Sequence, residues 1–186
     1  MAALIERVNC EQPDKYVCGG SLIHPSVVLT SAHCVNERSA DNLRVRLGEW
    51  DTQSNNELLP HKDFEVAQRI IHSEFGPANL FNDVALLILK KPTKLSVHIN
   101  TICLPPQNYK SQGSCIATGW GTDKFNSPSY RSNLKKLDLP VVPLRKCQDN
   151  LRTTRLGNRF KIHQSFMCAG GEKDVDTCTG DGGSPL

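Results

Sequence analysis

Cys178-Thr179-Gly180-Asp181-Gly182-Gly183-Ser184-Pro185-Leu186 places three glycines, one carboxylate and a single serine within nine residues. Gly182, at the centre of this loop, has no side-chain nucleophile to offer. Ser184 stands two residues further on. Two residues of chain span up to about 7 Å, whereas a nucleophile must lie within about 3 Å of its base. Four other segments precede the loop in chain order: Leu29-Thr30-Ser31-Ala32-His33-Cys34, Asn82-Asp83-Val84-Ala85-Leu86-Leu87, Cys115-Ile116-Ala117-Thr118-Gly119-Trp120-Gly121 and Phe166-Met167-Cys168-Ala169-Gly170. His33 directly follows a strand-like run and stands beside a cysteine, and Asp83 opens an apolar run.

Around these segments, short β-rich runs punctuated by Gly, Pro, Asn and Asp predict an all-β barrel or sandwich. Long helical periodicities are absent. Gly20-Ser21-Leu22-Ile23 and Val27-Val28-Leu29-Thr30 flank His24-Pro25-Ser26 in the pattern of a hairpin with a three-residue turn. Leu43-Arg44-Val45-Arg46-Leu47 alternates as a half-buried strand does. Val84-Ala85-Leu86-Leu87-Ile88-Leu89 is apolar throughout and reads as a strand covered on both faces. The break at Cys103-Leu104-Pro105-Pro106 divides the chain into residues 1–103, a linker 104–113, and a second β-rich section, 114–186.

Composition narrows the function classes. The chain has 186 residues, 38% hydrophobic and 22% charged, which suits a globular protein and excludes a disordered tail or collagen-like repeat. Its longest apolar run is far short of the roughly 20 residues that cross a bilayer. A net charge of +3 gives no support to nucleic-acid binding. Basic residues gather only in 135–161: Lys135, Lys136, Arg145, Lys146, Arg152, Arg155, Arg159 and Lys161. That stretch reads as a solvated face or as a site for polyanions such as sulfated glycans, with no aromatic interleaving for nucleic acid. Eight cysteines without any C-x-x-C argue for disulfides in an oxidising compartment, hence a secreted protein, rather than for zinc. Met1-Ala2-Ala3-Leu4-Ile5-Glu6 lacks the features of a signal peptide, so Met1 is not expected to be the start of the natural precursor.

The five segments, in this order, resemble the trypsin/chymotrypsin family of serine proteases over essentially the whole chain. The resemblance implies two antiparallel β-barrels with the active site in the cleft between them. It also implies that the activation site falls before Met1, because Met1-Ala2-Ala3-Leu4-Ile5 matches the middle of the family's first long strand, and that the second barrel is truncated here, because Leu186 lies in the nucleophile loop. His33 corresponds to the catalytic base and Asp83 to the carboxylate that orients it. Gly182 occupies the serine position of the family pattern C-x-G-D-S-G-G-P-L. Gly180 and Gly182 would supply the amides of an oxyanion hole, and Asp176 would floor a pocket for Arg or Lys. Asp181 corresponds to the carboxylate that pairs with the N-terminus released on activation.

Eight cysteines allow on the order of 105 pairings, and the resemblance selects Cys18 with Cys34 and Cys147 with Cys168. By analogy Cys115 and Cys178 would pair beyond Leu186 and Cys103 with an upstream segment, leaving Cys10 unassigned. Glu49, Asp51 and Glu57 fall in a loop where some family members bind Ca²⁺, making them candidate ligands; no other cofactor is implied. The remaining histidines, His24, His61, His72, His98 and His163, are expected on surfaces or loops.

Within the family, Gly-Asp-Gly-Gly-Ser-Pro-Leu resembles the ending of the arthropod clip-domain serine protease homologues. The segments 18–30 and Leu47-Gly48-Glu49-Trp50-Asp51-Thr52 look like that group too. This resemblance implies an inactive, secreted cofactor in an immune protease cascade, with a cascade serine protease and prophenoloxidase as partners. Two other functions fit parts of the sequence: an active endopeptidase cleaving after Arg or Lys, if serine stood at position 182, and an adhesion or pattern-recognition protein using the basic stretch.

Overall fold

The computed structural model describes residues 1–7, 14–54, 56–109, 111–122, 130–172 and 175–186. Cys10 lies outside the described residues. Alternation in Leu43-Arg44-Val45-Arg46-Leu47 becomes β4 (Leu43–Leu47), with its three apolar side chains buried. Its arginines point outward and meet acids on β5 (Lys62–Ile71), in register: Arg44 faces Glu65 at 3.2 Å and Arg46 faces Asp63 at 2.7 Å. Such directly opposed pairs favour this register over a one-residue slip, which would send the arginines into the core.

Four more strands complete the ring: β1 (Ala2–Glu6), β2 (Lys15–His24), β3 (Val27–Thr30) and β6 (Ala85–Leu89). All neighbours are antiparallel, and the order β1-β2-β3-β6-β5-β4 closes because β1 pairs with both β2 and β4. Closure removes sheet edges and encloses Leu4, Leu22, Val28, Val45, Val66 and Leu87, each at most 2% exposed. Each such side chain contributes on the order of 2 kcal/mol of burial free energy.

Two details differ from the sequence reading. Strand β2 runs through His24, which pairs with Val27, so the turn is Pro25-Ser26 alone; an irregularity between Leu22 and His24 absorbs the extra residue. The apolar run 84–89 is buried on one face only: Ala85, Leu87 and Leu89 enter the core, while Leu86 and Ile88 are half-buried. A closed barrel has one dry interior, and the outer face of β6 receives only partial cover.

All barrel strands precede residue 90, and a second, three-stranded antiparallel sheet follows residue 113, in the order β7 (Ser114–Gly119), β8 (Lys135–Val142), β9 (Cys168–Ala169). A one-turn helix, α1 (Ala32–Val35), follows β3, and a nine-residue helix, α2 (Leu144–Arg152), follows β8. Disulfides join Cys18 to Cys34 and Cys147 to Cys168, tying β2 to α1 and α2 to β9. Cys103, Cys115 and Cys178 form no disulfide among the described residues.

The second sheet, the barrel and the glycine-rich loop meet around Asp181, which is buried. Its Oδ1 accepts from the Gly121 amide at 2.8 Å, its Oδ2 accepts from the Cys178 amide at 2.9 Å, and the Lys135 ammonium lies 3.0 Å from Oδ2. Side chains cannot intrude here: a Cβ added to Gly121 would lie 2.5 Å from the Asp181 carboxyl carbon, and one on Gly119 would overlap Oδ1. The loop is also pinned to β2, the Gly19 amide donating to the Gly182 carbonyl at 2.8 Å. Lys135 therefore leaves the basic stretch in which the sequence placed it. Replacing it by an apolar residue strands a buried carboxylate, so Lys135→Met is expected to lose about 3 kcal/mol of folding stability. Neighbouring Lys136 is exposed, and Lys136→Met is expected to stay within about 0.5 kcal/mol of the parent. Urea unfolding of the two variants checks this; equal losses would remove the special role of Lys135.

Candidate functional site

His33 sits in α1, immediately after β3, where the Cys18–Cys34 disulfide holds the neighbouring residue to β2. Asp83 precedes β6, the strand that pairs with β3, so the hydrogen-bonded ladder brings both residues to one end of the barrel. The His33 amide donates to Asp83 Oδ1 at 2.8 Å, and Nδ1 lies 2.6 Å from Oδ2. With one carboxylate oxygen on the backbone and the other on the ring, the imidazole orientation is fixed and Nε2 is directed away from Asp83. The His33 side chain is 41% exposed and that of Asp83 16%, so the pair lies at the mouth of a cleft.

Position 182 faces that imidazole. A Cβ built on Gly182 would lie 2.9 Å from His33 Nε2 and 3.6 Å from Cys18 Sγ. Ser184 takes another direction: its Oγ is buried, without a hydrogen-bond partner among the described residues, and occupies the space above Gly19, where a Cβ would overlap it. The loop thus presents a bare backbone to His33 and turns its only serine into the packing between β2 and β7. Gly180 and Gly183 have φ of 97° and 74°, the left-handed region that favours glycine, and Gly180 contributes its carbonyl as acceptor for the Tyr16 hydroxyl at 2.8 Å. Burial, followed by the nearby Asp181 charge, pushes the Tyr16 phenol well above its usual range, keeping it a neutral donor.

Asp176 is exposed and accepts from the adjacent Thr177 amide at 2.8 Å. It lines a cavity of about 190 Å³ together with Leu139, Ala169, Ser184 and Leu186. A second cavity, about 300 Å³, lies beside the dyad between Leu29, Asp83, Leu104 and Pro185.

The acidic loop after β4 is organised differently from its sequence reading. Glu49 is a wholly buried carboxylate, its Oε2 held by His61 Nδ1 at 2.9 Å and Arg46 Nη1 at 3.3 Å, and its Oε1 by the Trp50 amide at 3.0 Å. Glu57 accepts from the Asp51 amide, and Asp51 from the Gln53 amide. The ligand atoms that converge, within 4.8 Å of one another, belong to Glu49, Glu57 and His61, not to Asp51. An imidazole nitrogen and a carboxylate already answered by a guanidinium do not fit Ca²⁺, which takes six to eight oxygens.

His61 and His163 lie in loops, and each makes a specific contact there. His163 is half-buried and stacks on Phe81, ring centroids 4.1 Å apart, with its Nδ1 2.9 Å from Ser165 Oγ. Ser165 Oγ in turn accepts from the Asn82 amide, next to Asp83. Leu80 and Asn82 both have positive φ, 58° and 53°, and this strained approach to Asp83 is braced by the stack. Nothing in the spacing of His163, 80 residues away, signals that contact.

The trypsin family model matches residues 4–186. The chain is similar to Phenoloxidase-activating factor 2 of Galleria mellonella, 51% identical over 98% of this chain and 62% of that protein. It is similar as well to inactive CLIP domain-containing serine proteases of Anopheles gambiae, at 42% over 95% of this chain and 48% of the relative, and of Aedes aegypti, at 44% over 93% and 38%. The chain thus spans from about two fifths to three fifths of the length of the curated relatives it matches. With that family match across almost every residue, and a barrel that sets His33 and Asp83 against the glycine-rich loop, this chain belongs to the trypsin family.

Proposed function

We propose that this chain is the protease-like part of a secreted, catalytically inert cofactor in a proteolytic cascade leading to phenoloxidase activation and melanisation. The observation that carries the proposal is the pairing of an intact His33–Asp83 dyad with a residue, Gly182, whose missing side chain would have pointed at His33 Nε2. In this reading His33 and Asp83 are remnants of a triad, the amides of Gly180 and Gly182 are remnants of an oxyanion hole, and Asp176 is the base of a former specificity pocket. An acyl-enzyme needs a side-chain nucleophile, and removing the serine of an unrelated protease with the same triad costs about 10⁶ in turnover. The names of the similar proteins, a phenoloxidase-activating factor and inactive CLIP domain-containing proteases, support the cascade assignment. The proposed partners are a cascade serine protease and prophenoloxidase.

The protein containing this chain is expected to hydrolyse no Arg or Lys ester and to take no label from a serine-directed phosphonate. Gly182→Ser combined with Ser184→Gly is expected to gain both activities. The exchange moves the hydroxyl out of its buried, unpartnered position to the place facing His33. Recovery will be partial, because the 2.9 Å Cβ clearance forces the imidazole to shift and a small misplacement costs about a hundredfold in rate. Phosphonate labelling of Ser184 in the parent, located by peptide mapping, would overturn the inert reading.

In a reconstituted mixture of prophenoloxidase and its activating protease, adding the proteolytically activated full-length protein is expected to raise phenoloxidase activity in a saturable manner. Equal activity with and without it, across a concentration series, would remove the cofactor assignment while leaving the inert active site untouched.

A further inference from the structure

Charge in this chain is distributed unevenly. Residues 144–161 hold six basic side chains against one acid, Asp149, a net +5 within 18 residues; the whole chain carries +3, which leaves −2 for everything else. Asp149 is answered by Arg152 at 3.4 Å. Arg145, Lys146, Arg155, Arg159 and Lys161 are all exposed and form no ion pair among the described residues.

These cations are displayed on an ordered scaffold. Helix α2 is fastened to β9 by the Cys147–Cys168 disulfide. The segment that follows it folds back over the helix: Arg152 Nε donates to the Phe160 carbonyl at 2.9 Å, and the Ile162 amide donates to Gln148 Oε1 at 3.1 Å. Five like charges are thereby confined to one helix and its return loop. Their mutual repulsion is relieved only by solvent and salt, and a bound polyanion would relieve it further by releasing counterions.

We propose that α2 and its return loop form a binding site for sulfated polysaccharide, a function separate from the cofactor role. Four of the six cations are arginines, whose planar guanidinium matches oxyanions in two-pronged hydrogen bonds. Single-stranded nucleic acid is bound through aromatic stacking platforms, and the only aromatic residue in 144–161, Phe160, is half-buried. A helix that lies on a membrane needs a continuous apolar face, whereas α2 offers Leu144 and the half-buried Leu151. The disulfide at the foot of the patch belongs to an oxidising compartment, where the accessible polyanions are glycans.

The test uses the full-length protein on immobilised heparin with a sodium chloride gradient, with affinity for soluble heparin measured at several salt concentrations. The parent is expected to stay bound above 0.15 M salt. Arg155→Ser, Arg159→Ser and Lys161→Ser together should weaken heparin binding by about tenfold or more and flatten the log–log salt dependence by about 2 to 3. Lys62→Ser, Lys91→Ser and Lys94→Ser, which remove the same charge from exposed sites on the other half of the molecule, should change binding by less than about twofold. Unchanged melting temperatures keep both triple variants interpretable. Elution below 0.15 M salt, or equal weakening by the two triples, would overturn the site. Tighter binding to duplex DNA or to phosphatidylserine vesicles than to heparin would overturn the polysaccharide assignment.

Discussion

The buried carboxylate of Asp181 is the constraint on which the rest of this site depends. It draws two backbone amides and one ammonium from three separate stretches, 119–122, 178–181 and the start of β8, into a single contact. A carboxylate taken out of water is costly unless its lone pairs are filled and its charge is answered. Gly121, Cys178 and Lys135 meet both requirements. Satisfying that carboxylate fixes the loop so that Gly182 lies under His33 and Ser184 turns inward. The glycines at 119 and 121 follow from the same demand, since any side chain there would occupy the space the carboxylate needs.

From this constraint comes an unusual division within one cleft. The half contributed by the barrel is complete: His33 and Asp83 are joined by two hydrogen bonds and braced through Asn82, Ser165 and the Phe81–His163 stack. Opposite it, the loop offers backbone and no reacting atom. A dyad of this kind can hold and orient a proton, and among the described residues the loop position that faces it is Gly182, without a side-chain nucleophile. The dyad thus persists opposite a residue without a side chain, which is the physical basis of the proposed inert cofactor.

Local pattern and motif spacing carried much of this into the sequence. Alternation in Leu43-Arg44-Val45-Arg46-Leu47 reports a strand with one buried face, because side chains on a strand alternate sides, and the five ordered segments point to the family. The absence of a side chain at Gly182 needs no coordinates at all. Other features had no local signal. Lys135 reads as one more surface cation until β8 brings it beside Asp181, 46 residues later. His61 and His163 are loop histidines whose partners carry no local signal: the fold sets the first against a buried glutamate and the second against an aromatic ring.

The sequence by itself determined the all-β class, the family and the glycine at position 182, since these depend on residue type and short spacing. Only the tertiary structure decided how those residues are used: which way Ser184 points, what neutralises Asp181, why Glu49 is unsuited to calcium, and which cations remain exposed on α2. Each of those outcomes is a contact between segments far apart in the chain, governed by burial and by the cost of leaving a polar group unanswered. Neither quantity exists until the chain has folded.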